Sequence, residues 1–326
     1  MKLRIATRAS TLALTQTRWV AARLKEQVDN LEVEEVQIRT TGDRITDRPL
    51  SQVGGKGLFV SEVEAAVVRG DADFAVHSLK DVPGDVPLAE GMAILSVPVR
   101  EDPHDVLITP DGRDLGSLPS GAKVGTTSRR RVVQLLQQRP DLTFVPLRGN
   151  IGTRLNKLEQ GRCDAIVLAA AGLSRVGILD EVPHVRLPSD LCLPSVGQGA
   201  LAIEGAADDE SLRAILGTIE DKIARVEISA ERAMLQRLEG NCHSPIAGHA
   251  RVAEGRLDLE GMVSSFHGDK VLSATSDTYL DPGASDAVQR ADALGRELAV
   301  SLIARGAREL IRQAEIIALQ SKMITN

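Results

Sequence analysis

Residues 74–83 read Phe-Ala-Val-His-Ser-Leu-Lys-Asp-Val-Pro, and this stretch decides the fold. Its first three residues form a short apolar run that predicts a buried strand. Lys80 and Asp81 follow the run, and Pro83 ends regular structure just after them. Because ligands of open α/β sheets bind beyond the carboxyl ends of the strands, we expect Lys80 and Asp81 at a functional edge. The alternative is an ordinary surface turn, since Asp is common in turns.

The sequence on both sides of this stretch alternates strand and helix signals, which predicts mostly parallel sheets. In a first series, the predicted strands are 3–7, 33–39, 72–76 and 92–97, and the helices are 12–26 and 58–69. In a second series, which starts near residue 105, the strands are 123–125, 143–147 and 164–169, and the helices are 130–138, 151–160 and 170–176. Residues 200–204 predict a further buried strand that crosses back to the first series.

The last third has a different pattern. A long helix is predicted over 222–238, with Gly240 as a favourable residue just past its end. Alternating strands follow at 246–253, 257–264 and 271–278, joined by tight turns, and helices at 284–305 and 307–322 complete the chain. We therefore expect three domains: 1–98 with 199–217, then 99–198, then a small α+β domain over 218–326.

Composition excludes several classes of protein. The chain has 326 residues, a net charge of −6 and only 2% aromatic residues. Single-stranded nucleic acid binders need aromatic stacking platforms and basic surfaces, so we expect no nucleic acid partner. No stretch approaches the roughly 20 apolar residues that span a bilayer, so we expect no membrane association. The N-terminus runs directly into the first predicted strand without an export signal, which favours a cytoplasmic location.

The three cysteines, Cys163, Cys192 and Cys242, are odd in number and far apart, which suits a reducing compartment. No zinc-ligand spacing is present and the six histidines do not cluster, so we expect no metal. Cys242 differs from the other two because it lies in a polar loop, Glu-Gly-Asn-Cys-His-Ser-Pro-Ile over residues 239–246. Exposure and thiolate chemistry are therefore plausible for Cys242.

Arginines follow three of the predicted strands. Residues 129–131 are all Arg and open a helix directly after Gly-Thr-Thr-Ser at 125–128. Free backbone N–H groups at a capped helix start bind anions, and Arg side chains clamp carboxylates with two hydrogen bonds. The corresponding residues at the other two strand ends are Arg148, Asn150 and Arg154, and Arg8 and Ser10. We therefore expect a polyanionic ligand; the alternative is solvated surface ion pairs, which contribute little.

Residues 54–59, Gly-Gly-Lys-Gly-Leu-Phe, suggest a phosphate-binding loop at first sight. The Walker A pattern requires Ser or Thr after the Lys and an earlier Gly, where this chain has Gly57 and Leu50. A flexible loop that carries a cationic Lys is the better interpretation.

Taken together, these segments resemble the porphobilinogen deaminase family, also called hydroxymethylbilane synthases. The resemblance runs in order along nearly the whole chain. It is carried by residues 4–8, 54–59, 77–83, 100–103, 148–150, 197–200 and 231–233 and by the Cys242 loop.

The resemblance implies a monomeric α/β enzyme with two periplasmic-binding-protein-like βα domains and a small α+β C-terminal domain. It implies a dipyrromethane cofactor, linked to Cys242 by a thioether, that primes the addition of four porphobilinogen units with release of ammonia. The product would be the linear tetrapyrrole 1-hydroxymethylbilane, handed on to uroporphyrinogen III synthase.

The resemblance also implies roles for single residues. Asp81 matches the catalytic Asp, which would stabilise the cationic azafulvene formed when ammonia leaves. The implied cofactor contacts are Cys242, Lys80, Asp81, Thr126, Ser128, Arg130, Arg131, Arg154, Gly172 and Ser195. The implied substrate contacts are Arg8, Ser10, Gln16, Arg148, Asn150, Arg175 and Gln198, with Lys56 and Phe59 in the loop. Porphobilinogen carries an acetate and a propionate, so the arginines suit its carboxylates.

A rival hypothesis is a non-catalytic, two-lobed carboxylate receptor. It explains the two βα series and the arginines, but it explains neither Cys242 on an added third domain nor the missing export signal.

We predict that Cys242 is the only point of covalent attachment, because Cys163 and Cys192 lie in more apolar surroundings. The intact mass of the purified protein should exceed the sequence mass by two pyrrole units joined with loss of ammonia. Cys242→Ala should abolish this excess and Cys163→Ala should keep it. The opposite result would show that the assignment is wrong.

Overall fold

A computed structural model of the chain describes residues 1–40, 57, 59–240 and 244–323. The strands are β1 Lys2–Arg8, β2 Glu32–Ile38, β3 Phe74–Ser78, β4 Met92–Ser96, β5 Asp105–Ile108, β6 Lys123–Gly125, β7 Thr143–Val145, β8 Ala165–Ala169, β9 His184–Leu187, β10 Leu201–Ala206, β11 Ile246–Ala253, β12 Arg256–Ser264 and β13 Val271–Tyr279. The helices are α1 Thr11–Gln27, α2 Ser61–Val68, α3 Arg129–Gln138, α4 Ile151–Glu159, α5 Ala170–Arg175, α6 Glu210–Gly217, α7 Lys222–Leu238, α8 Ala287–Ala304 and α9 Ala307–Met323.

The strands form three sheets, and two of these share one plan. Lobe 1 is the sheet β2-β1-β3-β10-β4 with α1, α2 and α6; lobe 2 is the sheet β7-β6-β8-β5-β9 with α3, α4 and α5. In each sheet the fourth strand in this order, β10 or β5, is antiparallel to both of its neighbours. The expected mostly parallel sheets are confirmed, and so is the expected return of the chain to the first sheet through β10.

Both faces of the lobe 2 sheet are buried. Val106 and Ile108 of β5 pack into one apolar cluster, and Leu107 between them packs into another. Because side chains alternate across a strand, this split shows that apolar helices or loops cover both faces. Strands of this kind read as continuous apolar runs, which is why β8 was predictable from sequence.

Two chain segments connect the lobes and run side by side; one contains Glu101 and the other contains Gly199. The backbone N–H of Glu101 donates to the carbonyl oxygen of Gly199 at 3.1 Å. Gly199 has a φ of +88°, and a Cβ atom there would lie 2.2 Å from the carbonyl oxygen of Glu101. Only glycine combines this left-handed conformation with so close an approach.

Domain 3 is the antiparallel sheet β11-β12-β13 covered by α7, α8 and α9. The predicted tight turn between β11 and β12 is confirmed, since Glu254 and Gly255 both have positive φ, as a type I′ turn requires. The core of this domain is aliphatic and includes Met234, Leu259 and Leu298. The predicted small α+β domain is therefore present.

The sequence-based prediction missed β5, β9 and α6, and it misplaced one helix cap. β5 and β9 have four residues each, too few to show a periodicity. For α6 a signal existed, because Asp209 accepts from the backbone N–H of Leu212 as an N-cap. At the end of α7, Glu239 takes the left-handed conformation expected of Gly240. Gly240 serves a steric purpose instead, since a Cβ there would lie 2.1 Å from Cδ1 of Ile246.

A buried ion pair fastens domain 3 to the connecting segments. Arg100 donates through both terminal nitrogens to Glu231 of α7, at 2.7 and 3.2 Å. Glu231 is completely buried and also accepts from the backbone N–H groups of Gly197 at 2.7 Å and Ala250 at 2.8 Å. One carboxylate therefore joins α7, β11 and both connecting segments.

We predict that Glu231→Gln lowers the free energy of unfolding by about 3 kcal/mol, because it leaves the buried Arg100 charge with only the more distant Glu227, at 3.4 Å. Urea unfolding at neutral pH provides the measurement. The matched control is Glu309→Gln, which removes an exposed helix pair with Arg312 and should change stability by less than about 1 kcal/mol. Equal effects of the two substitutions would contradict the anchoring role of Glu231.

Candidate active site

The turn that carries Asp81 follows β3 directly. Residues Leu79–Asp81 form a single 3₁₀ turn, and the backbone N–H of Val82 donates to the carbonyl oxygen of Leu79 at 3.0 Å. Leu79 is fully buried and anchors the turn, whereas Asp81 is half-buried. Asp81 therefore lies beyond the carboxyl end of a buried strand, as the sequence predicts.

Asp81 shares a small pocket with residues that come from distant parts of the chain. The pocket is also lined by Arg8, Ser10, Leu12, Ala13, Gln16, Phe59, Val60, Val76, His77 and Ser78. Gln16 donates to the hydroxyl oxygen of Ser78 at 2.9 Å, and the Arg8 guanidinium lies 4.0 Å from the centre of the Phe59 ring. The structure thus brings Arg8, Ser10, Gln16 and Phe59 together around Asp81, whose carboxylate makes no hydrogen bond within the described residues.

A second set of charged groups surrounds Asp105, the first residue of β5. Asp105 is completely buried and accepts from Arg130 at 2.6 Å and from Arg131 at 2.7 Å. It also accepts from Gln198 at 2.9 Å, and the Cys192 sulfur lies at 3.5 Å. The two arginines keep the pKa of Asp105 well below its usual range despite burial. Two guanidinium groups thus face one carboxylate, which leaves this cluster with excess positive charge.

The two arginines of this cluster differ in the hydrogen-bond partners of their guanidinium groups. Arg130 also donates to the carbonyl oxygen of Leu193 at 2.6 Å, so its contacts are internal. Arg131 donates to the carbonyl oxygen of Val167 at 2.8 Å, but its Nε is buried and has no hydrogen-bond partner among the described residues. A buried donor without an acceptor is costly, and an anionic ligand would supply that acceptor.

Lys80 connects Asp81 to this cluster. Its ammonium donates to the side-chain oxygen of Gln198 at 3.0 Å, and Gln198 donates in turn to Asp105. The side chain is exposed along the cleft, but the surrounding protein and the charge of Arg131 lower the pKa of Lys80 to about 8. Gln198, predicted as a substrate contact, lies buried as the link between Lys80 and Asp105.

Three further arginines show the same electrostatic cost. Burial, with the charges of Arg131 and Arg148, lowers the pKa of Arg154 to about 10. Burial lowers the pKa of Arg148 and brings that of Arg175 to about 10. Burial disfavours the charge of all three guanidinium groups, and carboxylates of a ligand would stabilise it.

Some of the hydroxyl and amide groups at the strand ends cap a helix, and others do not. Asn150 caps α4, accepting from the backbone N–H of Thr153 at 2.8 Å, and Ser10 caps α1, accepting from Ala13 at 3.4 Å. Ser128 occupies the N-cap position of α3, but its side chain makes no capping hydrogen bond. Thr126 is buried and accepts from the backbone N–H of Ser128 at 3.2 Å. The predicted Ser cap of this helix therefore has no capping bond.

The structure shows the surroundings of two further predicted contacts, Gly172 and Ser195. Two others lie outside the described residues. Gly172 lies where the lobes meet, because a Cβ there would be 3.4 Å from Ile151 and 3.9 Å from Leu12 of the other lobe. The carbonyl oxygen of Ser195 accepts from the backbone N–H of Gln198 at 2.9 Å. Lys56 and Cys242 are outside the described residues, and their roles stay predictions.

Sequence reasoning missed Asp105, which holds Arg130 and Arg131 in place. A signal was available: Asp105 opens an apolar strand, and an Asp buried in such a strand requires compensating partners. Across residues 1–40, 57, 59–240 and 244–323, no three His, Cys, Asp or Glu side chains are grouped as a metal site would require. None of the described helices combines the length and apolar character needed to cross a bilayer.

The fold and the site define a two-lobed α/β protein in which Asp81, unpaired among the described residues, lies next to Lys80, and Lys80 is joined through Gln198 to the arginines around Asp105. Residues 3–214 match the family model described as "Porphobilinogen deaminase, dipyromethane cofactor binding domain", and residues 225–304 match "Porphobilinogen deaminase, C-terminal domain". The chain belongs to the porphobilinogen deaminase family. This membership excludes the receptor hypothesis.

Relatives named porphobilinogen deaminase cover almost the whole chain. The protein from Syntrophotalea carbinolica is 45% identical over 96% of this chain and 96% of its own length. The protein from Brevibacillus brevis is 47% identical over 96% of this chain and 97% of its own length. Among solved structures, the methionine binding protein MetQ aligns with a TM-score of 0.44 and 12% identity, over 67% of this chain and 89% of that one.

We predict that Lys80 reacts with trace amounts of acetic anhydride with a midpoint near pH 8 in cofactor-free Cys242→Ala protein, because its pKa is lowered. The cleft thus loses a positive charge as pH rises through about 8. The control is Lys2, whose pKa is raised from 10.5 by Glu34. In protein with cofactor, the Lys80 midpoint should move upward, since carboxylates favour the ammonium form. Identical titration of Lys80 and Lys2 would contradict this description of the cleft.

Proposed function

We propose that Asp81 is the charge partner for each addition of porphobilinogen, and that the cations of lobe 2 hold the carboxylates of the cofactor and of the growing product. The observation that carries the proposal is the position of Asp81. Its carboxylate makes no hydrogen bond within the described residues and lines a pocket with Arg8, Ser10 and Gln16. The family membership supplies the reaction.

The residues near the cleft fit a dipyrromethane with four carboxylates. The buried Nε of Arg131 requires an acceptor, and Lys80, Arg148 and Arg154 have lowered pKa values that nearby anions would restore. We infer that the cofactor is held by Lys80, Arg131 and Arg154 together with the Ser128 hydroxyl, which makes no capping hydrogen bond. When bound, the dipyrromethane supplies the pyrrole carbon to which the first porphobilinogen is joined.

Asp81 serves the chemistry at the substrate. Ammonia leaves porphobilinogen with the electron pair of its C–N bond, and the substrate becomes a cationic azafulvene. A fixed carboxylate beside the pyrrole N–H lowers the energy of that cation. Formation of the new C–C bond is followed by loss of a proton from the pyrrole carbon that attacked the azafulvene, and Asp81 takes this proton.

Substrate carboxylates require cations on the lobe 1 side of the cleft. Arg8 lies against the Phe59 ring at 4.0 Å, so its guanidinium is held at the edge of the Asp81 pocket. We propose that Arg8 and Ser10 bind the incoming substrate. Arg148 and Arg175 are then available to the product as it lengthens.

Further parts of the proposal rest on the family resemblance. We propose that the chain acts as a cytoplasmic monomer and that its product passes to uroporphyrinogen III synthase. The domain boundaries at 98, 198 and 217 and the thioether at Cys242 belong to the same proposal. They agree with the separate sheets of the two lobes and with the position of residue 242 just after α7.

We predict that Asp81→Asn keeps the fold and the cofactor but lowers turnover about 10² to 10³-fold, because it removes one preorganised charge and preserves shape. Asp81→Glu should retain part of the activity. Product formation from porphobilinogen is measured together with intact mass. The control is Asp71→Asn, an exposed lobe 1 residue paired with Arg69. Turnover by Asp81→Asn at the wild-type rate would refute the proposed role.

A further inference from the structure

A row of buried ionisable groups starts at the Asp81 pocket. His77 is one of the residues that line this pocket, and its Nε2 lies 2.9 Å from a carboxylate oxygen of Glu204. The His77 side chain is 3% exposed and that of Glu204 is 1% exposed. Burial of such a pair is costly unless each group is hydrogen-bonded. Nothing in the proposed role of Asp81 requires this pair.

The second oxygen of Glu204, Oε1, indicates where the row continues. Oε1 is buried and has no donor within the part of the chain that the structure describes, yet the Glu64 carboxyl of helix α2 is a hydrogen-bonding neighbour of Glu204. Two ionised carboxylates cannot form a hydrogen bond with each other, so this contact requires a proton on one of them. A proton on Glu64 would let its carboxyl donate to Glu204.

The surroundings of Glu64 favour such a shared proton. Burial, and after it the neighbouring Glu204, raise the pKa of Glu64 to about 7, although a backbone hydrogen bond from Ala89 at 2.7 Å opposes the shift. A carboxyl that titrates near neutrality both accepts and releases protons under the conditions of the reaction. The charges that face the row are His77 beside both carboxyls and Arg232 of α7 beside Glu204.

The row ends at a group that solvent can reach. Glu64 is only half-buried, whereas His77 and Glu204 are enclosed. The groups therefore run from the reaction pocket, along the face of the sheet that α2 covers, to a carboxyl with access to solvent. Arg232 lies close by and donates to the carbonyl oxygens of Val82 at 3.3 Å and Pro83 at 3.4 Å, next to the Asp81 turn.

The reaction requires a path by which protons leave the Asp81 pocket. Each addition breaks a C–H bond of the attacking pyrrole, and its electron pair restores the aromatic ring while the proton passes to Asp81. Asp81 must lose this proton before it can stabilise the next cation, and a pocket filled by pyrroles leaves little room for water. This requirement rests on the proposed function of Asp81.

We propose that His77, Glu204 and Glu64 form a proton relay that returns Asp81 to its ionised form between additions. His77 takes the proton from the pocket, its Nε2 proton passes to Glu204, and Glu64 releases one proton to solvent, so no charge accumulates. All three are positioning residues, because they act through Asp81.

Two variants that preserve shape test the relay, Glu204→Gln and Glu64→Gln, with Glu35→Gln of the surface pair with Arg18 as the matched control. The single-turnover rate of porphobilinogen addition is measured against pH, in water and in deuterium oxide. In the wild type, the rate should fall as pH falls through about 7, because Glu64 then keeps its proton instead of releasing it to solvent. Each variant should lose this decrease in rate at low pH and should lose the solvent isotope effect on addition. Each should also add pyrroles about tenfold more slowly at neutral pH.

The outcomes separate the relay from the proposed function. If both variants carry cofactor and keep the wild-type pH profile and isotope effect while Asp81→Asn is impaired, the relay is refuted and the role of Asp81 stands. If Asp81→Asn turns over normally, the proposed function fails whatever the variants show. If Glu204→Gln does not fold, Glu64→Gln decides, since its amide oxygen still accepts from Ala89 and its neighbours keep their packing.

Discussion

The site depends on the burial of Asp105. A carboxylate with no solvent contact requires charge compensation, and Arg130 and Arg131 of α3 provide it at 2.6 and 2.7 Å. Gln198 of the connecting segment binds the same carboxylate and accepts from Lys80 of lobe 1. One buried charge therefore fixes the start of α3, the path of the returning chain and the direction of Lys80. Because two arginines meet one aspartate, the cluster keeps a net positive charge beside the cleft.

That excess charge links folding to ligand binding. Lys80, Arg148 and Arg154 all have lowered pKa values, which means that their charged forms are disfavoured where the fold holds them. A polycarboxylate bound there removes the penalty, and a ligand that binds only the folded state stabilises it. The cleft is thus built at an electrostatic cost that its ligand offsets. A neutral ligand would gain nothing from this arrangement.

Carboxylates in the two halves of the molecule have opposite roles. Glu231 in domain 3 accepts four hydrogen bonds, from Arg100 and two backbone N–H groups, and is purely structural. Asp81 accepts none within the described residues and sits on a single 3₁₀ turn held by buried Leu79. A satisfied carboxylate holds elements together, whereas an unsatisfied one at a pocket is available to a developing positive charge.

The sequence alone was sufficient for the two βα series, the hairpins of domain 3, the placement of Asp81 beyond a strand and the concentration of arginines at strand ends. These features follow from local periodicity and from the rule that parallel strands end at one edge of a sheet. It was insufficient for β5, for the pairing of Arg130 and Arg131 with Asp105, and for the row from His77 to Glu64. Those depend on side chains that are 25 to 140 positions apart in the sequence, and no local pattern records which of them share a buried volume. Only the packed structure decides which charges are compensated, because burial is a property of the whole fold.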